Sequence, residues 1–136
     1  MNVTTQIRVR FVETDQQGVV HHSNYLSYFE AARVEFFRGI GYEIQDFDSQ
    51  QLDLIVVSAT INYKRPARFD DLLDVAVGVD HLGTASFGLA YEIKIDDKLI
   101  STGSTRLACM KPNGRPGRLP ADFRELLASH QPHADS

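Results

Sequence analysis

The chain has one cysteine, Cys109, among its 136 residues, so no internal disulfide can form. Its fold must therefore rest on packing, and a chain of this length buries enough apolar surface for one domain. Cys109 lies in a strand-like apolar stretch and reads as a buried, inert thiol. The start, MNVTTQIRVRF, lacks the apolar run of a signal peptide, and no apolar run anywhere approaches the length of a membrane span. These absences lead us to expect a cytoplasmic protein. Excess positive charge is also missing: 14 basic against 18 acidic residues leave a formal net charge of −4, which argues against a sequence-independent nucleic-acid binder. There is no His-Glu-x-x-His run and no Cys/His ligand spacing, so no metal is expected.

What is present is a pattern of periods. Ile7, Val9 and Phe11 alternate with Gln6, Arg8 and Arg10, as in a strand with one wet face. A polar stretch with Gly18 follows and reads as a loop, after which Ser23 or Asn24 can cap a helix. Tyr25, Phe29, Ala32, Phe36 and Ile40 recur at helical spacing, predicting a helix over 24–40 that ends at Gly39 and Gly41. Glu30 and Arg33 stand one turn apart on it and are expected to pair with each other or with a partner subunit. Residues 42–53 read as loop or short irregular helix.

Three runs then alternate at period two: Ile55 to Lys64, Leu73 to Asp80, and Phe87 to Ile95. A fourth run, Leu99 to Met110, is rich in strand formers but poorly patterned. Short turns separate them, at Arg65 to Asp71, Gly83, and Asp96-Asp97. The Gly/Pro-rich segment 112–120 leads to a short helix over 121–128, and residues 129–136 read as a frayed tail. The order is strand, helix, then four strands joined by short turns, which means an antiparallel sheet of about five strands. One long apolar helix must bury its face on that sheet, giving an α+β domain that spans residues 1–136. The sheet edge stays unpaired, so association with a second copy is expected, a dimer at least and a tetramer by preference.

The informative stretch is Phe11 to Arg33, FVETDQQGVVHHSNYLSYFEAAR. It resembles the acyl-CoA thioesterases that include 4-hydroxybenzoyl-CoA thioesterase and the YbgC-type enzymes. Their signature is an acidic residue, a spacer, Asp, two spacers, Gly and two aliphatic residues. A polar run ending in Asn-Tyr follows, then a helix rich in Glu, Ala and Arg. Glu13, Asp15, Gly18, Val19, Val20, Asn24, Tyr25, Glu30, Ala31 and Arg33 match it, as does Pro66 to Val75, PARFDDLLDV. The likeness runs from Ile7 to about Pro120.

The resemblance implies a hotdog fold, one long helix wrapped by the sheet, with active sites between subunits and an acyl-CoA substrate. It makes Asp15 the catalytic carboxylate and places the oxyanion donor at His22, through its backbone N–H. Gly18, Val19 and Tyr25 are expected at the substrate. The chemistry fits the residues: the leaving thiol has a pKa near that of Cys, about 8.5, so it departs without a strong acid. What is needed is a carboxylate and an oxyanion donor, and a helix N-terminus offers unpaired N–H groups for the second role. On its own, Asp15 reads as well as a turn residue. Glu13 reads as a solvated loop charge, and nothing assigns His21 a role.

Coenzyme A carries phosphates at its far end. Lys64, Arg65, Arg68, Arg106, Lys111, Arg115 and Arg118 are candidate contacts, with Arg65, Arg115 and Arg118 favoured. Relatives acting on aromatic substrates carry a basic cluster in the turn before the fourth strand. Here that turn reads LGTASF, so the phosphate site must differ. No metal or redox cofactor is implied. Two rival classes are a hotdog hydratase, disfavoured by the Asp15-to-His22 spacing, and a non-catalytic acyl-CoA binding module.

Overall fold

A computed structural model describes residues 3–42 and 50–131. The elements are β1 (Val3–Arg8), a 3-10 turn at Phe11–Glu13, α1 (Asn24–Gly39), β2 (Asp53–Tyr63), β3 (Leu72–Leu82), β4 (Ser86–Ile95), β5 (Lys98–Met110) and α2 (Ala121–Ser129). The strands form one antiparallel sheet in the order β1-β3-β4-β5-β2. Most of the expected irregular segment after α1, and the end of the expected tail, lie outside the described residues.

Helix α1 buries the face its sequence predicted: Tyr25, Phe29, Ala32 and Phe36, with Ile40 just beyond its end, are all at most 6% exposed. Tyr28 and Phe37 widen that face. Opposite it, β3 and β4 turn Leu73, Val75, Val77, Val79, Phe87, Leu89, Tyr91 and Ile93 inward, as their alternation required. Phe123 of α2 closes one end of the core against Phe37, Tyr42 and Phe87. Cys109 is fully buried, and burial pushes its thiol up, as expected for an inert side chain.

The poor pattern of β5 has a packing cause. A Cβ on Gly103 would stand 2.4 Å from Cε2 of Phe29, so the helix passes too close for any side chain there. Phe29 stacks on Tyr91 at 4.4 Å between ring centroids. Ser101 and Thr105, the buried polar residues on either side, hydrogen-bond the Asn62 carbonyl and the Tyr91 hydroxyl.

Several expectations need correcting. Phe11 does not extend the buried face of β1: the chain turns at Phe11–Glu13 and leaves it 74% exposed, edge-on to Phe69. Arg33 does not pair with Glu30. It reaches inward and donates to the Tyr91 hydroxyl at 3.3 Å, a second partner beside Thr105 for that buried group. Strand β2 alternates in sequence, yet Ile55, Val56 and Val57 are all exposed, since α1 packs over β1 and β3 rather than over β2.

Candidate active site

The loop that carries Asp15 is a small hairpin. Thr14 pairs with Val20, and the Asp15 N–H donates to the Val19 carbonyl at 2.9 Å. Gly18 makes the reversal with φ +81°, a region an L side chain rarely enters. The Asp15 carboxylate is divided between two tasks. Its Oδ1 accepts from the Gln17 N–H at 2.9 Å and the Val19 N–H at 3.4 Å, which holds the turn. Its Oδ2 accepts from none of the described residues.

The returning strand of this hairpin is anchored on the other side. Val20 N–H donates to the Ala67 carbonyl at 2.8 Å, and Val19 pairs with Arg68. The chain then enters α1, whose first turn fixes the amides one by one. His21 N–H donates to the Glu13 carbonyl, Ser23 N–H to His21 Nδ1 at 3.2 Å, Asn24 N–H to the His21 carbonyl and Tyr25 N–H to the His22 carbonyl. No described residue accepts from the His22 N–H. A helix start leaves such donors unsatisfied and partly positive, which is what a developing oxyanion needs.

The expected cap residues do other work. Ser23 makes no side-chain cap bond, and its hydroxyl meets His21 Nδ1 at 2.8 Å. Asn24 Nδ2 donates back to the Glu13 carbonyl at 2.9 Å. The His21 ring nitrogen takes up the Ser23 N–H just ahead of the helix. Histidine is not among the residue types that usually bond a helix start, so residue choice alone did not point to it.

Glu13 is likewise not the solvated loop charge expected, nor does it lie in a strand beside Asp15. Its side chain is 12% exposed and accepts from Arg10 N–H, Arg10 Nε and the Tyr28 hydroxyl at 2.9–3.0 Å. Partial burial pushes its carboxyl up, but these bonds together outweigh that and hold it below the usual carboxylate range. Burial, reinforced by the bond to Glu13, drives the Tyr28 hydroxyl well above its ordinary value. The result is a rigid base under the loop.

Beside the helix start lies a hollow of about 270 Å³ whose walls include Val20, His22, Tyr25, Tyr63 and Arg65. Tyr63 packs edge-on to Tyr25 at 5.0 Å, and its hydroxyl donates to the His22 carbonyl at 3.4 Å. Burial pushes the Tyr25 hydroxyl up. The structure thus brings Asp15, Gly18, Val19, His22, Tyr25 and Arg65 to one end of the sheet. Arg115 and Arg118 stand at the other end. Tyr63 pairs with Ser101, whereas Asp53 pairs with Met110, next to their segment. The length of β2, on the order of 30 Å, separates them from His22 within one chain. Among the described residues, no three His, Cys, Asp or Glu side chains gather as a metal site. No described helix is long and apolar enough to cross a membrane.

One long helix wrapped by a five-stranded antiparallel sheet, with a polar loop at its amino end, is the hotdog fold. The chain belongs to the Thioesterase-like superfamily, which residues 9–127 match. It is 36% identical to a putative esterase of Aquifex aeolicus, over 88% of this chain and 93% of that one. It is 32% identical to the acyl-CoA thioesterase YbgC of Haemophilus influenzae, again over 88% and 93%. A solved DHNA-CoA thioesterase of Staphylococcus aureus superposes with a TM-score of 0.87 at 30% identity, over 93% of this chain and 88% of that one.

Proposed function

We propose that this chain hydrolyses an acyl-CoA thioester, with Asp15 as the catalytic carboxylate and the His22 N–H as oxyanion donor. The observation that carries this reading is the open His22 amide, left unpaired at a helix start beside the loop of Asp15. The thioester carbonyl oxygen points at that N–H. Either Asp15 Oδ2 attacks the carbonyl carbon, or it takes the proton of a water that attacks. The C–S bond then breaks and the thiolate leaves. Attack by Asp15 would leave a mixed anhydride that water opens, and activated water would give the acid directly. No step calls for a metal or redox cofactor.

Gly18, Val19, Tyr25 and Arg65 line the approach of the substrate. Arg115 and Arg118 lie beyond the far end of β2, out of reach of the substrate in their own chain, and only a second copy would bring them near it. We place that copy on the β2 edge, where Ile55, Val56 and Val57 stand exposed beside unpaired backbone groups. Antiparallel pairing of two such edges would bring one chain's Asp53 end to the other's Tyr63 end. The assembly is a dimer or a tetramer, and the lone unpaired Cys109 suits a cytoplasmic setting. The reading is tested by sizing the enzyme by light scattering and then assaying a panel of acyl-CoAs for released thiol. We expect at least a dimer, and thiol release from some panel members. A monomer at micromolar concentration removes the second copy. Hydration of an enoyl-CoA without thiol release would replace the hydrolase by a hydratase.

A further inference from the structure

We infer that the nucleotide phosphates of coenzyme A are held within the same chain by Arg65 and Lys98, with Lys64 beside them, in a groove that leads away from His22. This rests on the acyl-CoA reading above and names where the far end of that substrate sits.

A second hollow, of about 350 Å³, adjoins the first and shares Arg65 and Pro66 with it. Its other walls are Ile95, Ile100, Asp96 and Lys98. The two hollows meet at Arg65 and Pro66, with His22 and Lys64 on the first and Ile95, Ile100 and Lys98 on the second, so the path runs from a thioester end at His22 past Arg65 to Lys98. That order matches the order of parts in coenzyme A.

The cations are set on rigid backbone. Lys64 and Arg65 both donate their N–H groups to the Ile100 carbonyl, at 2.9 and 3.1 Å, so they are pinned to the start of β5. Lys98 follows a tight hairpin in which Asp96 and Asp97 have φ of 48° and 68°, opposite Ile95. No described residue pairs with the charged ends of Lys64, Arg65 or Lys98. Arg8, Arg10 and Arg38, by contrast, each meet a carboxylate. Unpaired cations around a hollow suit an anion that carries several charges. Asp96 opposes them, which makes the sign of its effect a test.

Binding of coenzyme A and of pantetheine, which lacks the phosphates, is measured by calorimetry on the oligomeric enzyme. Arg65→Ala with Lys98→Ala should weaken coenzyme A at least about tenfold, as expected for losing charge-assisted bonds, and leave pantetheine unchanged. Asp96→Asn should tighten coenzyme A about twofold to fivefold. Asn tolerates the positive φ at that position, so the turn survives. Arg115→Ala with Arg118→Ala should change coenzyme A by less than about threefold. Unchanged coenzyme A affinity in the Arg65/Lys98 variant overturns the assignment. So does an equal loss of pantetheine, or a larger loss in the Arg115/Arg118 variant. If coenzyme A binds as described but no acyl-CoA is hydrolysed, the groove stands and the proposed activity fails.

Discussion

The loops 15–19 and 111–115 are built alike and placed differently. In the first, Asp15 Oδ1 accepts from Gln17 N–H, Gly18 turns the chain with φ +81°, and Thr14 pairs with Val20. In the second, Asn113 Oδ1 accepts from Arg115 N–H at 3.0 Å, Gly114 turns the chain with φ +82°, and Met110 pairs with Pro116. Each is a hairpin held by a side-chain oxygen two residues back and a glycine in the left-handed region. The two oxygens sit at different places, since Asp15 opens its loop where the second has Lys111 and Asn113 directly precedes Gly114, so the second loop makes the turn with no carboxylate at the position of Asp15. The carboxylate charge at Asp15 is therefore surplus to the architecture, and only the first loop abuts an open helix-start amide. Chemistry here comes from the neighbourhood of the loop rather than from its shape.

That comparison can be broken by treating both loops alike. Asp15→Ala and Asn113→Ala each remove the oxygen that holds the turn, at a cost of about 1 kcal/mol in stability. Only Asp15→Ala should abolish turnover, by at least ~10²-fold in kcat. An equal loss in both would mean that turn geometry, not the carboxylate, carries activity. A smaller effect is expected from the glycines. Gly18→Ala and Gly114→Ala each force Ala to positive φ, costing about 1–2 kcal/mol. Thermal unfolding should shift alike for the two, while the specific activity of Gly18→Ala alone drops severalfold. If Gly114→Ala lowers activity as much, the far loop reaches the site through a second copy.

The sequence made the central helix and strands β3 and β4 readable because each is buried on one face, and burial writes its period directly into residue choice. Strand β2 carried the same alternation, but α1 packs over β1 and β3 rather than over it, so its apolar side chains stay exposed. Period alone could not place Ile55 and Val57. Strand β5 looked irregular because Phe29 leaves no room at Gly103, a contact between residues far apart in sequence. At the site, Asp15 and Gly18 stood out through the motif. The roles of the supports did not: Glu13 matched the motif yet read as a solvated charge, and Glu13, Tyr28 and His21 act through hydrogen bonds that only the folded loop creates. Among the basic residues, sequence favoured Arg65, Arg115 and Arg118 together, and the antiparallel register of β2 and β5 puts the last two at the opposite end of the sheet.

The central claim is that Asp15 supplies charge to the reaction and not merely an oxygen to the turn. Asp15→Asn separates these, since Asn keeps the acceptor that Asn113 already uses in the other loop. The measurement is kcat for thiol release from an accepted acyl-CoA, taken with the thermal midpoint of the same preparation. The account predicts an unchanged midpoint and a kcat lower by at least ~10²-fold. A folded Asp15→Asn enzyme that turns over at the parent rate would contradict it.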